Sequence, residues 1–187
     1  MLSTQQIATC TGASLEKAAI YAIALWNAMQ AFGITNKARM AAFLAQIGHE
    51  SGGLRYVREI WGPTPAQMGY EGRADLGNTM PGDGRRYPGH GLIQITGRAN
   101  HAKARDRLRA KFPMLEVPDF EAEPDTLMLP QWSALSAAEF WARKGCNEMA
   151  DVGNFIGITK RINGGTNGLA DRQERHARAQ AALSVSA

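Results

Sequence analysis

TNKARMAAFLAQIGHESGG, residues 35–53, is the stretch that decides the fold and marks where the chemistry lies. Met40, Phe43, Leu44 and Ile47 recur at three- and four-residue steps, which is the apolar stripe of an amphipathic helix. Thr35 or Asn36 can supply the N-cap oxygen, and Gly52 and Gly53 break the helix just past Ser51. Glu50 then falls in the last turn, where the helix dipole disfavours a negative charge. Phe43 and Ile47 add apolar surroundings. Both effects predict a Glu50 pKa raised toward general-acid duty.

Working outward, Leu15, Ala18, Ala22, Leu25, Trp26 and Met29 predict a helix over 14–30, with Ser14 as N-cap and Gly33 as the stop. Residues 52–91 change character: Gly, Pro, Asp and Asn dominate, and a loop-rich insert of that length in a compact domain is functional or disordered. Tyr56, Trp61, Tyr70 and Tyr87 argue for order there, and aromatic faces can stack on sugar rings. Helical patterning returns over 98–111, 131–144, 154–162 and 169–183, with a Pro-bearing link over 112–130. The predicted fold class is all-α, with room for a small β-hairpin in the middle region.

A chain of 187 residues fits one domain, 1–187, with a core able to fold alone. No stretch approaches the roughly 18 apolar residues of a membrane span, so no stable membrane insertion is expected. The first twenty residues lack a basic segment followed by an apolar one, so cytoplasmic synthesis without a signal peptide is expected. Cys10 and Cys146 are the only cysteines and are expected as free thiols; no CxxC or HxxxH spacing makes a metal site. The net charge of +4 suits an anionic partner or simple solubility. No aromatic-interleaved basic signature points to nucleic acid.

A second string, GHGLIQITGRANH at 89–101, is an apolar run between glycines carrying Gln94, Thr96 and Asn100. In a strand Gln94 and Thr96 would share one face, where an amide and a hydroxyl can hold a water and an N-acetyl group. Cutting a glycosidic bond takes a carboxyl that holds a proton, a second carboxylate and amides to grip hydroxyls. Glu50 offers the first. Glu59, Glu71, Asp75 and Asp83 are candidates for the second, and Glu59 stands out beside Ile60 and Trp61. HESGG does not complete the HExxH zinc motif, because Gly53 stands where its second histidine belongs. Asn163, before Gly164 and Gly165, predicts a tight turn presenting one amide, followed by a helix capped near Asn167 and bearing Arg172 and Arg175.

HESGG, DLGNTMPGDGRRYPGHGLIQITGRANH, FWARKGCNEMADVGNF and ITKRINGGTNGLADR together resemble glycoside hydrolase family 19, which contains plant-type chitinases and compact lysozyme-like endolysins. The resemblance runs from Met40 to Arg175. It implies a lysozyme-like two-lobed fold with a cleft and an inverting mechanism without cofactor. It makes Glu50 the general acid, Glu59 the base and Thr96 the hydroxyl that positions water. Gln94, Asn100 and Asn163 fall where the family grips substrate, and Arg172 or Arg175 where it supports the acid. His49 and Tyr87 complete the candidate substrate contacts. His90 and Leu92 stand in place of Arg and Pro in a common GRGPIQ form, Pro88 in place of an aromatic, and His101 in place of a tyrosine.

The leading expectation is a monomeric endolysin-like muramidase acting on peptidoglycan glycan strands, without a separate cell-wall-binding module. By the resemblance it would act in the periplasm after release from a host bacterium's cytoplasm, through a separate pore-forming protein. A chitinase is the alternative, and a non-catalytic glycan-binding protein on the same scaffold is a third.

Overall fold

The computed structural model describes residues 1–184 and is all-α. Its helices are α1 (Thr4–Thr11), α2 (Leu15–Ala31), α3 (Lys37–Glu50), α4 (Pro65–Met68), α5 (Asp83–Arg86), α6 (Arg98–Lys111), α7 (Pro130–Arg143), α8 (Cys146–Asp151), α9 (Phe155–Asn163) and α10 (Leu169–Ser184), with 3-10 turns at Ala74–Leu76 and Pro124–Met128. Among the described residues the hairpin is reduced to isolated antiparallel bridges, Arg58 with His90 and His90 with Ile95.

The helix α3 is the axis of the molecule. Every residue from Met40 to Gly48 is buried, because α1, α8 and α10 pack around it. A helix apolar on one stripe needs one neighbour, whereas one buried all round needs several. Its Phe43 meets Trp141 of α7 edge-on at 5.5 Å. Gly48 lets α1 come close, since a Cβ there would run into the backbone of Thr11. The C-terminal helix α10 lies along α3, and that pairing carries residues from the end of the chain to Glu50.

Four helices lay outside the sequence reading: α1, α8, and the four-residue α4 and α5 within the loop-rich segment. Ser3 and Gln6 form a reciprocal capping box that starts α1. Helix α8 is held by Asn147, which accepts from Trp141 Nε1 at 2.8 Å and donates to Phe32 O at 3.0 Å. Cys10 and Cys146 are both buried and unpaired, and burial pushes their thiols up to about 12 and about 11.

The loop-rich segment before α6 is ordered by polar contacts. Asn78 donates to Tyr70 O and accepts from Arg98 N, and Asp83 holds the Arg98 guanidinium at 2.5 and 2.9 Å. Glu71 accepts from Gly82 N and Gly84 N at 2.7 and 2.8 Å, fixing the start of α5.

Candidate active site

Glu50 is the last residue of α3, as the glycine pair requires. Ser51 closes the helix, donating its hydroxyl to Ile47 O at 2.6 Å and accepting from Leu54 N at 2.8 Å. Gly53 adopts a φ of 75° and approaches Gly12 so closely that a Cβ would stand 2.6 Å from its carbonyl oxygen. Leu54 also has a positive φ, 60°, a strained conformation for a branched residue that burial of its side chain offsets.

The surroundings of Glu50 differ from the apolar setting the sequence predicted. The Arg172 guanidinium of α10, itself 2% exposed, places Nη2 at 2.5 Å from Glu50 Oε1. Its Nη1 donates to Gln46 Oε1 and its Nε to Asn167 O at 3.1 Å. Gln46 in turn donates to Thr159 Oγ1 of α9 at 2.8 Å. Three helices therefore fix one oxygen of the carboxylate. The other, Oε2, has no hydrogen-bond partner among the described residues, and the side chain is 20% exposed.

Arg175 has a different task from Arg172. It donates to Asp171 Oδ2 at 2.7 Å and to Thr11 O at 2.5 Å, and forms no hydrogen bond or ion pair with Glu50. Asp171 also meets His49 Nδ1 at 2.6 Å. The Arg175 guanidinium, with help from His49, holds the Asp171 carboxyl below its ordinary range. His49 is thus tied down beside Glu50, with Gly168 pressed against its ring.

Asn163 spends both ends of its amide inside the turn. Its oxygen accepts from Gly165 N at 2.8 Å and its nitrogen donates to Asn167 O at 3.0 Å. Because Arg172 also donates to Asn167 O, Asn163 acts on Glu50 at second hand. Asn167 contributes this carbonyl rather than the side-chain cap predicted for α10.

Glu59 is held by neutral donors. Its Oε1 accepts from Gln67 Nε2 at 3.0 Å and Tyr70 Oη at 3.2 Å, and its Oε2 from Gly89 N at 2.9 Å. Burial, with the Glu59 charge second, pushes the Tyr70 phenol up. Gly89 has no room for a side chain because Gln94 lies over it. Gln94 is not in a strand: its φ is 53°, and it closes a tight loop in which His90 and Ile95 exchange both backbone hydrogen bonds. Its Nε2 donates to Gly91 O at 3.0 Å and Tyr56 O at 3.4 Å. Gln94, Thr96 and Asn100 do share a wall, that of a cleft of about 380 Å³ between α6 and α7. Asn100 donates to Thr96 O at 2.8 Å, which fixes the amide relative to the hydroxyl.

Tyr87 is corrected outright. It is 0% exposed, donates to Glu121 O at 2.7 Å, and lies between the Arg98 guanidinium and the His101 ring. No ligand can reach it; it supports the loop from beneath.

The sequence reading missed Gln46, Asp171 and Gln67, and took Tyr70 as a loop aromatic, not as a donor to Glu59. Gln46 was visible as a polar residue one helical turn before Glu50 inside an apolar run. The larger concavity, about 700 Å³ between α2 and α7, is lined by Ile20, Ile23, Leu115 and Leu129 among others and contains no ionisable side chain. It offers no acid or base, so the carboxylate-bearing region remains the candidate site. Among the described residues no group of three His, Cys, Asp or Glu side chains is placed to hold a metal ion, and no helix is long and apolar enough to cross a membrane.

No family model matches the chain. It is 33% identical over 167 residues to a protein of Haemophilus influenzae described as a glycosyl hydrolase family 19 domain-containing protein, covering 75% of this chain and 78% of that one. An endochitinase of Arabidopsis thaliana is 34% identical over 133 residues, which is 71% of this chain, and the chain spans only 42% of its length. The fold matches the crystal structure of a bacterial family 19 chitinase with a TM-score of 0.72 at 22% identity, covering 98% of this chain and 95% of that one.

Proposed function

We propose that this chain, which belongs to glycoside hydrolase family 19, is a muramidase that cleaves the β-1,4 bonds of peptidoglycan glycan strands with inversion. The observation that carries the mechanism is the unequal treatment of two carboxylates. Glu50 has one oxygen clamped by Arg172 and the other uncommitted, while both oxygens of Glu59 accept from neutral donors.

In this reading Glu50 Oε2 carries the proton that passes to the glycosidic oxygen as the bond to the anomeric carbon breaks. Glu59 takes a proton from the water that attacks the opposite face of the sugar. The Thr96 hydroxyl helps orient that water, and Gln94 and Asn100 hold sugar hydroxyls and acetamido groups. An inverting pair needs roughly 6.5–9.5 Å between carboxyls, room for the water. No cofactor is needed, because the two carboxyls complete the proton cycle between them.

Chitin hydrolysis is the second reading, favoured by the endochitinase relative and by the chitinase that shares the fold. Proton NMR during cleavage of wall strands and chitin oligosaccharides tests both. Inversion of a β bond yields the α-anomer first, and the strand that produces it identifies the substrate. First appearance of the β-anomer would overturn the inverting assignment.

A further inference from the structure

The cleft has a second wall that the reaction above does not use. On α6, Lys103 and Arg107 follow Asn100 at helical spacing, so that Asn100, Lys103 and Arg107 share a face. On α7 and just beyond it, Glu139, Phe140, Arg143 and Lys144 present the opposing face. Both faces line the same cavity as Gln94 and Thr96. Four cations therefore stand in one cleft with a single carboxylate.

That carboxylate, Glu139, is 12% exposed and is already engaged. It takes Arg143 Nε at 2.9 Å and lies 3.8 Å from Arg107 Nε. Lys103 and Lys144 have no ion-pair partner among the described residues. Lys144 instead extends over the Phe140 ring, with its nitrogen 5.5 Å from the centroid, and Arg143 stands over the same ring at 5.3 Å. The remaining lining residues, among them Leu76, Ile93, Ile95 and Ser136, bring no negative charge. Like charges crowded into a concave site repel one another unless an anion enters, and low-dielectric walls concentrate that field.

We infer that Lys103, Arg107, Arg143 and Lys144 form a carboxylate-reading subsite for the lactyl–peptide arm of an N-acetylmuramic acid residue, in the same cleft as the Thr96 hydroxyl. The inference rests on the muramidase reading and deepens it. A chitin strand consists of neutral N-acetylglucosamine and leaves Lys103 and Lys144 without an anionic partner, with Arg107 and Arg143 sharing Glu139 alone. A muramic acid residue carries a lactyl carboxyl at its O3 position, either free or extended into a peptide that bears its own carboxylates. Desolvating either anion against guanidinium and ammonium donors gives charge-assisted hydrogen bonds. Binding at this wall would also set the strand's register, because muramic acid occurs at every second sugar.

The test compares wild type with Lys103→Gln/Lys144→Gln on three soluble substrates: wall strands with peptides, strands freed of peptides but keeping the lactyl carboxyl, and strands whose carboxyls are converted to neutral amides. The readout is the ratio of kcat/KM on charged strands to that on amidated strands, measured at low and at high salt. The ratio in wild type is expected to exceed that of the double variant by about ten-fold, and salt should narrow the difference. A response confined to peptide-bearing strands assigns the stem carboxylates, and one retained on peptide-free strands assigns the lactyl group. Equal ratios in the two proteins overturn the subsite while leaving the muramidase reading intact. Wild type that cuts chitin and none of the three wall substrates overturns both. Lys103→Glu/Lys144→Glu gives an independent check, since reversal must depress the ratio further than neutralisation.

Discussion

Arg172 Nη2 lies 2.5 Å from Glu50 Oε1, and the same guanidinium also binds Gln46 and the carbonyl of Asn167. One buried cation on α10 therefore fixes the orientation of the carboxylate at the end of α3.

Arg172→Leu should lower kcat on the order of 100-fold, more than it changes KM, because the carboxyl loses its orientation. Removing one partner of a buried pair should also cost about 3 kcal/mol of stability. Arg172→Lys keeps the charge but cannot reach three acceptors in a fixed plane, so it should fall between the two. Steady-state kinetics with thermal unfolding separates these effects. Wild-type kcat in Arg172→Leu would show that the contact has no part in turnover.

Glu59 and Glu71 have distinct surroundings. Glu71 is committed to the amides that start α5, whereas Glu59 is held beside Gly89 and Gln94. Glu59→Gln should reduce turnover by roughly 100-fold or more, as expected for a lost general base. Glu71→Gln should act mainly on loop stability and be much milder in kcat. The reverse order would move the base to Glu71.

His90 and His101, two positions where the chain departs from the common family form, touch each other at 3.0 Å with both side chains fully buried. Gly97 O can only accept, so His101 Nδ1 donates to it, and the single Nδ1 proton of His90 is shared between His101 Nε2 and the Pro88 carbonyl at 2.8 Å. Burial pushes His101 down from 6.5 to about 4, and burial lowers His90 as well, against the pull of Asp125. A histidine depressed in the folded state favours the native protein above its unfolded pKa. That contribution drains away as pH falls from 6.5 toward 4, and for His101 it amounts to about 3 kcal/mol. Urea unfolding across this range should show a steep acid-side loss in wild type and a shallower one in His101→Gln. Parallel curves would contradict the assignment.

Gly48→Ala should destabilise by about 1–3 kcal/mol although alanine is the better helix former. The added Cβ would press on the Thr11 backbone, whose carbonyl also receives Arg175. A raised melting temperature would show that α1 yields without cost.

Much of this was legible in the sequence, for physical reasons. Local signals placed α3 and α6: paired glycines and a cap at Thr35 or Asn36, which the structure resolves to Asn36, bound the first, and helical patterning over 98–111 the second. The α1 capping box was equally present in the sequence, but eight residues carry too little periodicity to announce a helix. Glu50 and Glu59 could be singled out by the glycines and apolar residues beside them in sequence, but the groups that hold them, Arg172 for the first and Gln67, Tyr70 and Gly89 for the second, come from elsewhere in the chain. Arg172 and Arg175 could not be told apart, since both sit on α10 three residues apart and only its packing against α3 decides which one reaches Glu50. Gln94 and Thr96 alternate as in a strand, yet the turn at Gly91 puts Gln94 at a positive φ. Tyr87 looked like an available aromatic; the contacts that bury it come from Arg98, His101 and Glu121. The cationic wall is assembled from α6 and from α7 and Lys144, so no single stretch of sequence displays it.

The most direct test is to incubate wild type and Glu50→Gln with purified peptidoglycan and with colloidal chitin, then identify the new reducing ends by mass spectrometry. A muramidase with Glu50 as its acid releases reducing N-acetylmuramic acid from the wall in wild type, and none in a folded Glu50→Gln. Release unchanged in that variant, or new ends from chitin alone, would contradict this assignment.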